Sequence, residues 1–262
     1  MTSKCHLGAL LTIAAVFCLM AGAFDCTAQY LGGSIPILST FDELSQIAVS
    51  DPNRIISVQV TLIGLSHGRS GDLHIILEHT TTNNITTDVD LFSRPGVTTA
   101  IPFGATSTTS GNYGFSDRTT NTFSAAAIAA GGGVVPNDIY HPCAASPDYN
   151  YPLTYLSTLA GPAAAGAWRL IIGDSGPGID GTLDGWQLDI ITIPRLGINL
   201  PDANTTVVYW PAPSTGFFLQ ANSDLNTTNW VDVTNAVGFV NGTNQVAISP
   251  LSAKQFFRMV YR

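Results

Sequence analysis

The sequence predicts an all-β protein, and three observations carry that prediction. Charged residues make up only 11% of the 262-residue chain, against about a quarter in an average globular protein, while Thr, Ser, Asn and Gly abound. Apolar residues recur in short blocks rich in β-branched and aromatic side chains, bounded by Gly, Pro, Asn and Asp, the pattern of strands and turns. Strong helix formers are scarce outside short alanine runs, so long helices are not expected.

The clearest strand pair lies within residues 167–191. Trp168-Arg169-Leu170-Ile171-Ile172 and Trp186-Gln187-Leu188-Asp189-Ile190-Ile191 are two blocks of strand length. Alternation puts Trp168, Leu170 and Ile172 on the inner face of the first, and Trp186, Leu188 and Ile190 on that of the second, with Leu183 also inward. Between the blocks, Gly173, Gly176, Pro177, Gly178, Gly181 and Gly185 forbid a helix and require tight turning. Asp174, Asp180 and Asp184 stand in the same stretch, an acidic glycine loop of the kind that suits a hard cation. Upstream, Ile56 to Leu65 and Leu73 to Leu77 read as two more strands, with Val58, Val60, Leu62, Leu73, Ile75 and Leu77 inward. His74 and His79 lie five apart on one strand and so fall on opposite faces, where they cannot share a metal.

These blocks, in order, resemble the P domain (Homo B), the β-domain that follows the protease in furin- and kexin-type convertases. The family's G-x-W-x-L-x-x-x-D is matched by Gly166, Trp168, Leu170 and Asp174, and its G-x-L-x-x-W-x-L by Gly181, Leu183, Trp186 and Leu188. Its H-x-R-x-G-D-L turn is matched by His67, Arg69, Gly71, Asp72 and Leu73, with His67 placed to hydrogen-bond Asp72. Leu91-Phe92-Ser93-Arg94, Tyr140-His141-Pro142 and Leu156-Ser157 with Leu159 and Gly161 are similar to three further family elements. The resemblance spans residues 33–192; residues 102–150 depart from it and read as a Thr/Ser/Gly-rich insertion. It implies a jelly-roll β-sandwich over residues 29–192. Some bacterial P domains bind calcium, so the resemblance makes Ca2+ the expected cofactor, with Asp72, Asp117, Asp174, Asp180 and Asp184 as its expected ligands. No EF-hand spacing accompanies them, and the competing reading of each aspartate is a turn cap.

A second unit is expected over residues 193–262. Its apolar blocks are Val207 to Trp210, Gly216 to Gln220, Trp230 to Val233, Gln245 to Ile248 and Phe256 to Tyr261, which predict a small antiparallel sandwich. The run from Trp210 to Phe217, the segment Ser223 to Trp230 and the terminal Gln255 to Arg262 resemble a short, fibronectin-III-like C-terminal module of exported bacterial proteins.

At the other end, Lys4, the apolar run from Leu7 to Phe24 and the triplets Ala21-Gly22-Ala23 and Cys26-Thr27-Ala28 read as a signal peptide over residues 1–28. Gln29 is then the expected mature N-terminus, with cleavage after Ala23 or a retained membrane anchor as alternatives. The expected location is outside the cytoplasm: secreted, periplasmic or at the cell surface. Cys5 and Cys18 fall in the leader, and only the earlier cut keeps Cys26 beside Cys143, so no disulfide framework is expected.

The net charge of −8 argues against nucleic acid or an anionic membrane as partner. His67-Gly68, Gly104-Ala105-Thr106-Ser107 and Asp174-Ser175-Gly176 superficially match subtilisin motifs, but in the wrong chain order and without the α/β scaffold. The expected function is therefore that of an exported, non-catalytic module for adhesion, stabilisation or targeting, with an extracellular protein or glycan as partner. One alternative is a glycan-binding module, which needs Tyr113, Tyr149 and Tyr151 exposed on a face. Others are a fragment or accessory of a secreted subtilisin-like serine endopeptidase, and an enzyme of unrecognised type.

Overall fold

The computed structural model describes residues 27–39, 41–143, 154–250 and 254–262. In the first unit the strands are β1 (Thr27–Gly32), β2 (Ile35–Ile37), β3 (Asp42–Val49), β4 (Ile55–His67), β5 (Leu73–Thr81) and β6 (Thr86–Ser93). They are followed by β7 (Thr109–Phe115), helix α1 (Phe123–Ala130), β8 (Ile139–Tyr140), β9 (Gly166–Asp174), β10 (Gly181–Leu183) and β11 (Gly185–Thr192). One sheet runs β1-β11-β4-β10-β2, with β7 also on β4 and β8 beyond it; the other runs β3-β9-β5-β6. Among the described residues the chain is all-β apart from α1 and two short 3-10 turns at Ser70–Asp72 and Leu156–Leu159.

One continuous apolar core forms from residues of both sheets. Trp168, Leu170, Ile172, Leu73, Ile75 and Leu77 contribute from one; Trp186, Leu188, Ile190, Leu183, Val58, Val60 and Leu62 from the other. Each of these thirteen is at most 3% exposed, so the alternation read from the sequence holds along all five strands that carry them. His79 belongs to the same inner face, stacked on Trp168 with ring centroids 4.0 Å apart. His74 points the other way and meets Asp42, as odd spacing on a strand requires.

Where they are described, residues 102–150 contribute to the core. β7 pairs with β4, and α1 packs Phe123 among Phe92, Phe115, Tyr113 and Tyr140. The alanine run supplies helix propensity, Thr122 caps it by accepting the Ala125 N–H at 3.2 Å, and Gly131 ends it at φ 59°. Tyr113 is fully buried and donates its hydroxyl to Val135 O.

The second unit contains β12 (Gly197–Asp202), β13 (Thr205–Pro211), β14 (Phe217–Asn222), β15 (Val231–Asp232), β16 (Gly238–Val240), β17 (Thr243–Ile248) and β18 (Phe256–Tyr261). Its sheets are β12-β13-β17-β16 and β15-β14-β18. All five expected blocks are strands, and two more, β12 and β16, edge the larger sheet. Its separate core is Val208, Trp210, Leu219 and Val246.

The leader expected over residues 1–28 lies outside the described residues, except for Thr27 and Ala28. Those two open β1, paired with Ile191 and Ile190, so a cut after Ala28 shortens that strand and a cut after Ala23 leaves it whole. Cys26 also lies outside the described residues, and Cys143 is a free thiol. Among the described residues no helix is long and apolar enough to cross a membrane.

Candidate functional site

A group of titratable side chains, His67, Asp72 and Asp174 among them, sits where β4 ends, β5 begins and β9 ends. A bulge creates it. Leu62 opposes Tyr113, but Leu65 opposes Gly111, so β4 carries one extra residue at Ile63-Gly64. Gly64 takes φ +64° there, and a Cβ would collide with the Asp184 carboxylate. The extra residue reverses the alternation, so Leu65 and His67 turn inward where Ser66 would otherwise have been.

His67 is consequently buried, and both ring nitrogens are engaged. Nε2 lies 2.9 Å from Ile179 O and 3.3 Å from Asp174 Oδ2. Nδ1 lies 2.8 Å from Arg69 O and 3.1 Å from Arg69 N, so it meets the Arg69 backbone either as donor to the carbonyl or as acceptor from the N–H. The histidine thus ties the loop after β9 to the turn after β4. Its carboxylate partner is Asp174, not the expected Asp72.

Asp174 also accepts the Gly176 N–H at 2.8 Å. Ser39 Oγ donates to the same carboxylate at 3.4 Å and to Asp180 at 3.3 Å, and it accepts the Gly178 N–H at 3.1 Å. Asp72 is buried against Gly176, and its backbone carbonyl accepts the Ser175 N–H. Burial pushes its carboxyl above the usual range and nearby Asp174 adds to this, while Arg69, His67 and Arg94 oppose it. Arg69 Nε stands 3.8 Å from Asp72 Oδ1, a charge contact beyond hydrogen-bond reach. At the rim, His74 Nε2 meets Asp42 Oδ1 at 3.1 Å; burial lowers its affinity for a proton although Asp42 pulls the other way.

The five expected ligands therefore divide. Asp72, Asp174 and Asp180 share this pole. Asp117 lies elsewhere and caps the second 3-10 turn, accepting the Leu156 and Ser157 N–H groups at 2.9 and 2.7 Å. Asp184 covers the β4 bulge. Among the described residues no group of three or more His, Cys, Asp or Glu side chains is arranged to hold a metal. Calcium requires six to eight oxygens around one point, whereas Asp174, Asp180 and Asp117 accept hydrogen bonds from backbone N–H groups. These residues fit pinned turns better than a cation cage.

Nor is the arrangement a nucleophilic triad. His67 and Asp174 do meet, but Ser107 is buried and bonded to Ser70 Oγ at 2.7 Å. Ser39 is on the same carboxylate as the imidazole rather than on the imidazole's other nitrogen. Asp90 was not singled out by the sequence, and Cys143 only as a possible partner of Cys26. Asp90 is fully buried, accepts the Ser93 hydroxyl at 2.6 Å and has its carboxyl pushed up to about 7 by burial. The Cys143 thiol, bonded to Ser124, is pushed up for the same reason. A charged residue amid β-strand apolar neighbours was the only signal in Val89-Asp90-Leu91-Phe92.

No family model matches the chain, and no curated protein matches it. Among solved structures it is similar to dimeric latent PorU from Porphyromonas gingivalis, at 12% identity and a TM-score of 0.32, over 92% of this chain and 21% of that one. It is also similar to the Endo-D glycoside hydrolase domain from Streptococcus pneumoniae R6, at 11% identity and a TM-score of 0.22, over 90% of this chain and 31% of that one. The chain thus spans about a fifth of the first and under a third of the second.

Proposed function

We propose that this is an exported, non-catalytic protein whose larger sandwich, resembling the P domain of convertases, serves adhesion, stabilisation or targeting outside the cytoplasm. The observation that carries the reading is the state of His67. A general base needs a ring nitrogen open to substrate, and here one nitrogen is held against the Arg69 backbone while the other faces Ile179 O and Asp174. The polar pole holds a glycine loop on the sandwich, which is a stabilising task. The charge pattern supports an extracellular protein or glycan as partner. Calcium, if it acts here, would draw on Asp72, Asp174 and Asp180.

The test compares the parent protein with His67→Ala and Asp174→Asn. The expected outcome is no peptide or ester hydrolysis above blank in any of the three, together with a lower melting temperature in both variants. Hydrolysis by the parent that His67→Ala abolishes would overturn the reading.

A further inference from the structure

We infer that the outer face of the β12-β13-β17-β16 sheet binds a neutral saccharide, with Tyr209 as its platform. The glycan alternative raised by the sequence rested on Tyr113, Tyr149 and Tyr151. Tyr113 is buried, and the other two lie outside the described residues. The second unit offers a different face.

Alternation along β13 sends Val208 and Trp210 into the small core and leaves Val207 and Tyr209 on the opposite side. Register then builds a row across the sheet: Gly197 opposite Tyr209, Tyr209 opposite Gln245, Gln245 opposite Gly238. Glycine at both ends leaves the row without flanking walls. A Cβ at Gly197 would run into the Tyr209 ring, so the ring lies down over bare backbone and is 38% exposed. Tyrosine supplies a rigid aromatic surface with little rotamer freedom to lose.

Polar groups are set around it. Gln245 Nε2 donates to Thr243 Oγ1 at 3.1 Å, and Thr243 Oγ1 donates to Val240 O at 2.7 Å, which holds that amide in place. Asn241 takes φ 47° and Gly242 φ 78° in the two-residue turn joining β16 to β17, and Asn241 forms part of the rim. Asn199, opposite Val207, closes the other side. The depression has a volume of about 370 Å³ and no charged residue in its lining, a size within the usual range of small-ligand sites.

That chemistry selects its occupant. An aromatic face suits the C–H face of a pyranose ring. Amides both donate and accept, which matches hydroxyl groups that do the same. An anionic ligand would find no counter-charge, and a wholly apolar one would leave the amides unpaired at a desolvation cost. This inference does not rest on the reading of the larger sandwich and stands or falls separately.

The test is affinity electrophoresis of the full chain in native gels holding soluble β-glucan, xylan or galactomannan, with polygalacturonate as the anionic comparison. Expected is retardation by at least one neutral polymer, weakened tenfold or more in Tyr209→Ala and largely kept in Tyr209→Phe. Asn199→Ala combined with Gln245→Ala, which leaves the ring in place, should also weaken it. That pair guards against a Tyr209→Ala protein that fails to fold, as judged by its melting curve. Unchanged mobility in all three neutral gels, undiminished retardation of folded Tyr209→Ala, or retardation by polygalacturonate alone would each overturn the inference.

Discussion

The two sandwiches of this chain reach stability by different routes. The larger one has a core of thirty-one buried apolar residues, among them Trp168 and Trp186 with no exposed surface. The core of the smaller one has four, Val208, Trp210, Leu219 and Val246, and the unit adds contacts on the outside of its three-stranded sheet. Arg258 lies 4.3 Å from the Trp230 ring centroid and donates twice to Gln220. Arg262 makes a two-pronged contact with Asp232 and lies over Phe218, and Lys254 lies over Phe256. These three cations belong to or flank β18, an edge strand, where basic side chains also discourage pairing with another sheet. Charge divides the same way. Residues 1–192 hold fifteen acidic and six basic side chains, residues 193–262 three and four. A small unit cannot bury enough surface to rely on its core alone, and cation–aromatic contacts on its face supply part of what is missing.

The largest effect should come from breaking one core and watching the other. Trp168→Ala removes a fully buried indole whose N–H donates to Ala164 O, and should destabilise the first unit by about 3–5 kcal/mol. Because the cores are separate, calorimetry should show one transition moving down and a second unmoved, with Trp210→Ala reversing the pattern. A single transition shifted by both substitutions would show that the units unfold as one, and the comparison would lose its basis.

How much of this was legible in advance follows from what period-2 patterning can carry. It placed thirteen inward side chains correctly, because one face of each strand is apolar and the other is not. It could not show the Ile63-Gly64 bulge, since one extra residue leaves no compositional mark beyond a glycine, and that bulge is what turns His67 inward. Nor could it show that Tyr113, which the glycan-binding alternative needs exposed, is buried. Tyr113 stands among Gly, Asn and Ser, and its burial comes from long-range packing in the core, with Phe123 of α1 edge-on to its ring. β12 and β16 were missed because Gly197, Pro201 and Gly238 weaken their strand signal. The acidic loop was found, but a sequence cannot say whether an aspartate faces an ion or a backbone N–H.

Asp90, a buried carboxyl of the first unit, sharpens the comparison by pH. Its carboxyl is raised from 3.8 to about 7, so between those values the folded state holds a proton that the unfolded chain has lost. Stability therefore falls as pH rises through that window, by up to about 4 kcal/mol from this group. His74 and His79, both pushed down by burial, act in the opposite sense: their contribution is lost as pH falls below about 6.5. Asp90→Asn should remove only the first slope. Denaturant titrations from pH 4 to 7.5 should show the variant gaining on the parent as pH rises. A constant difference across the range would mean that Asp90 is ionised throughout.

The smallest expected effect concerns calcium, and it separates the acidic unit from the notion that acidity implies a metal. An ion that binds the folded state alone raises stability by RT ln(1 + [L]/Kd), about 2.7 kcal/mol at one hundred times Kd. Such binding needs carboxylate oxygens free to converge. Asp117 is committed to two backbone N–H groups, Asp174 to Gly176 and His67, and Asp180 to Ser39, while burial favours the protonated form of Asp72. Each would have to give up a partner before facing an ion, and the lost hydrogen bonds would offset much of the gain. Melts in millimolar calcium and in chelator should therefore coincide for both transitions. A rise confined to the first transition, lost in Asp174→Asn and kept in Asp117→Asn, would restore Asp72, Asp174 and Asp180 as a cation site and show that the loop rearranges to form it.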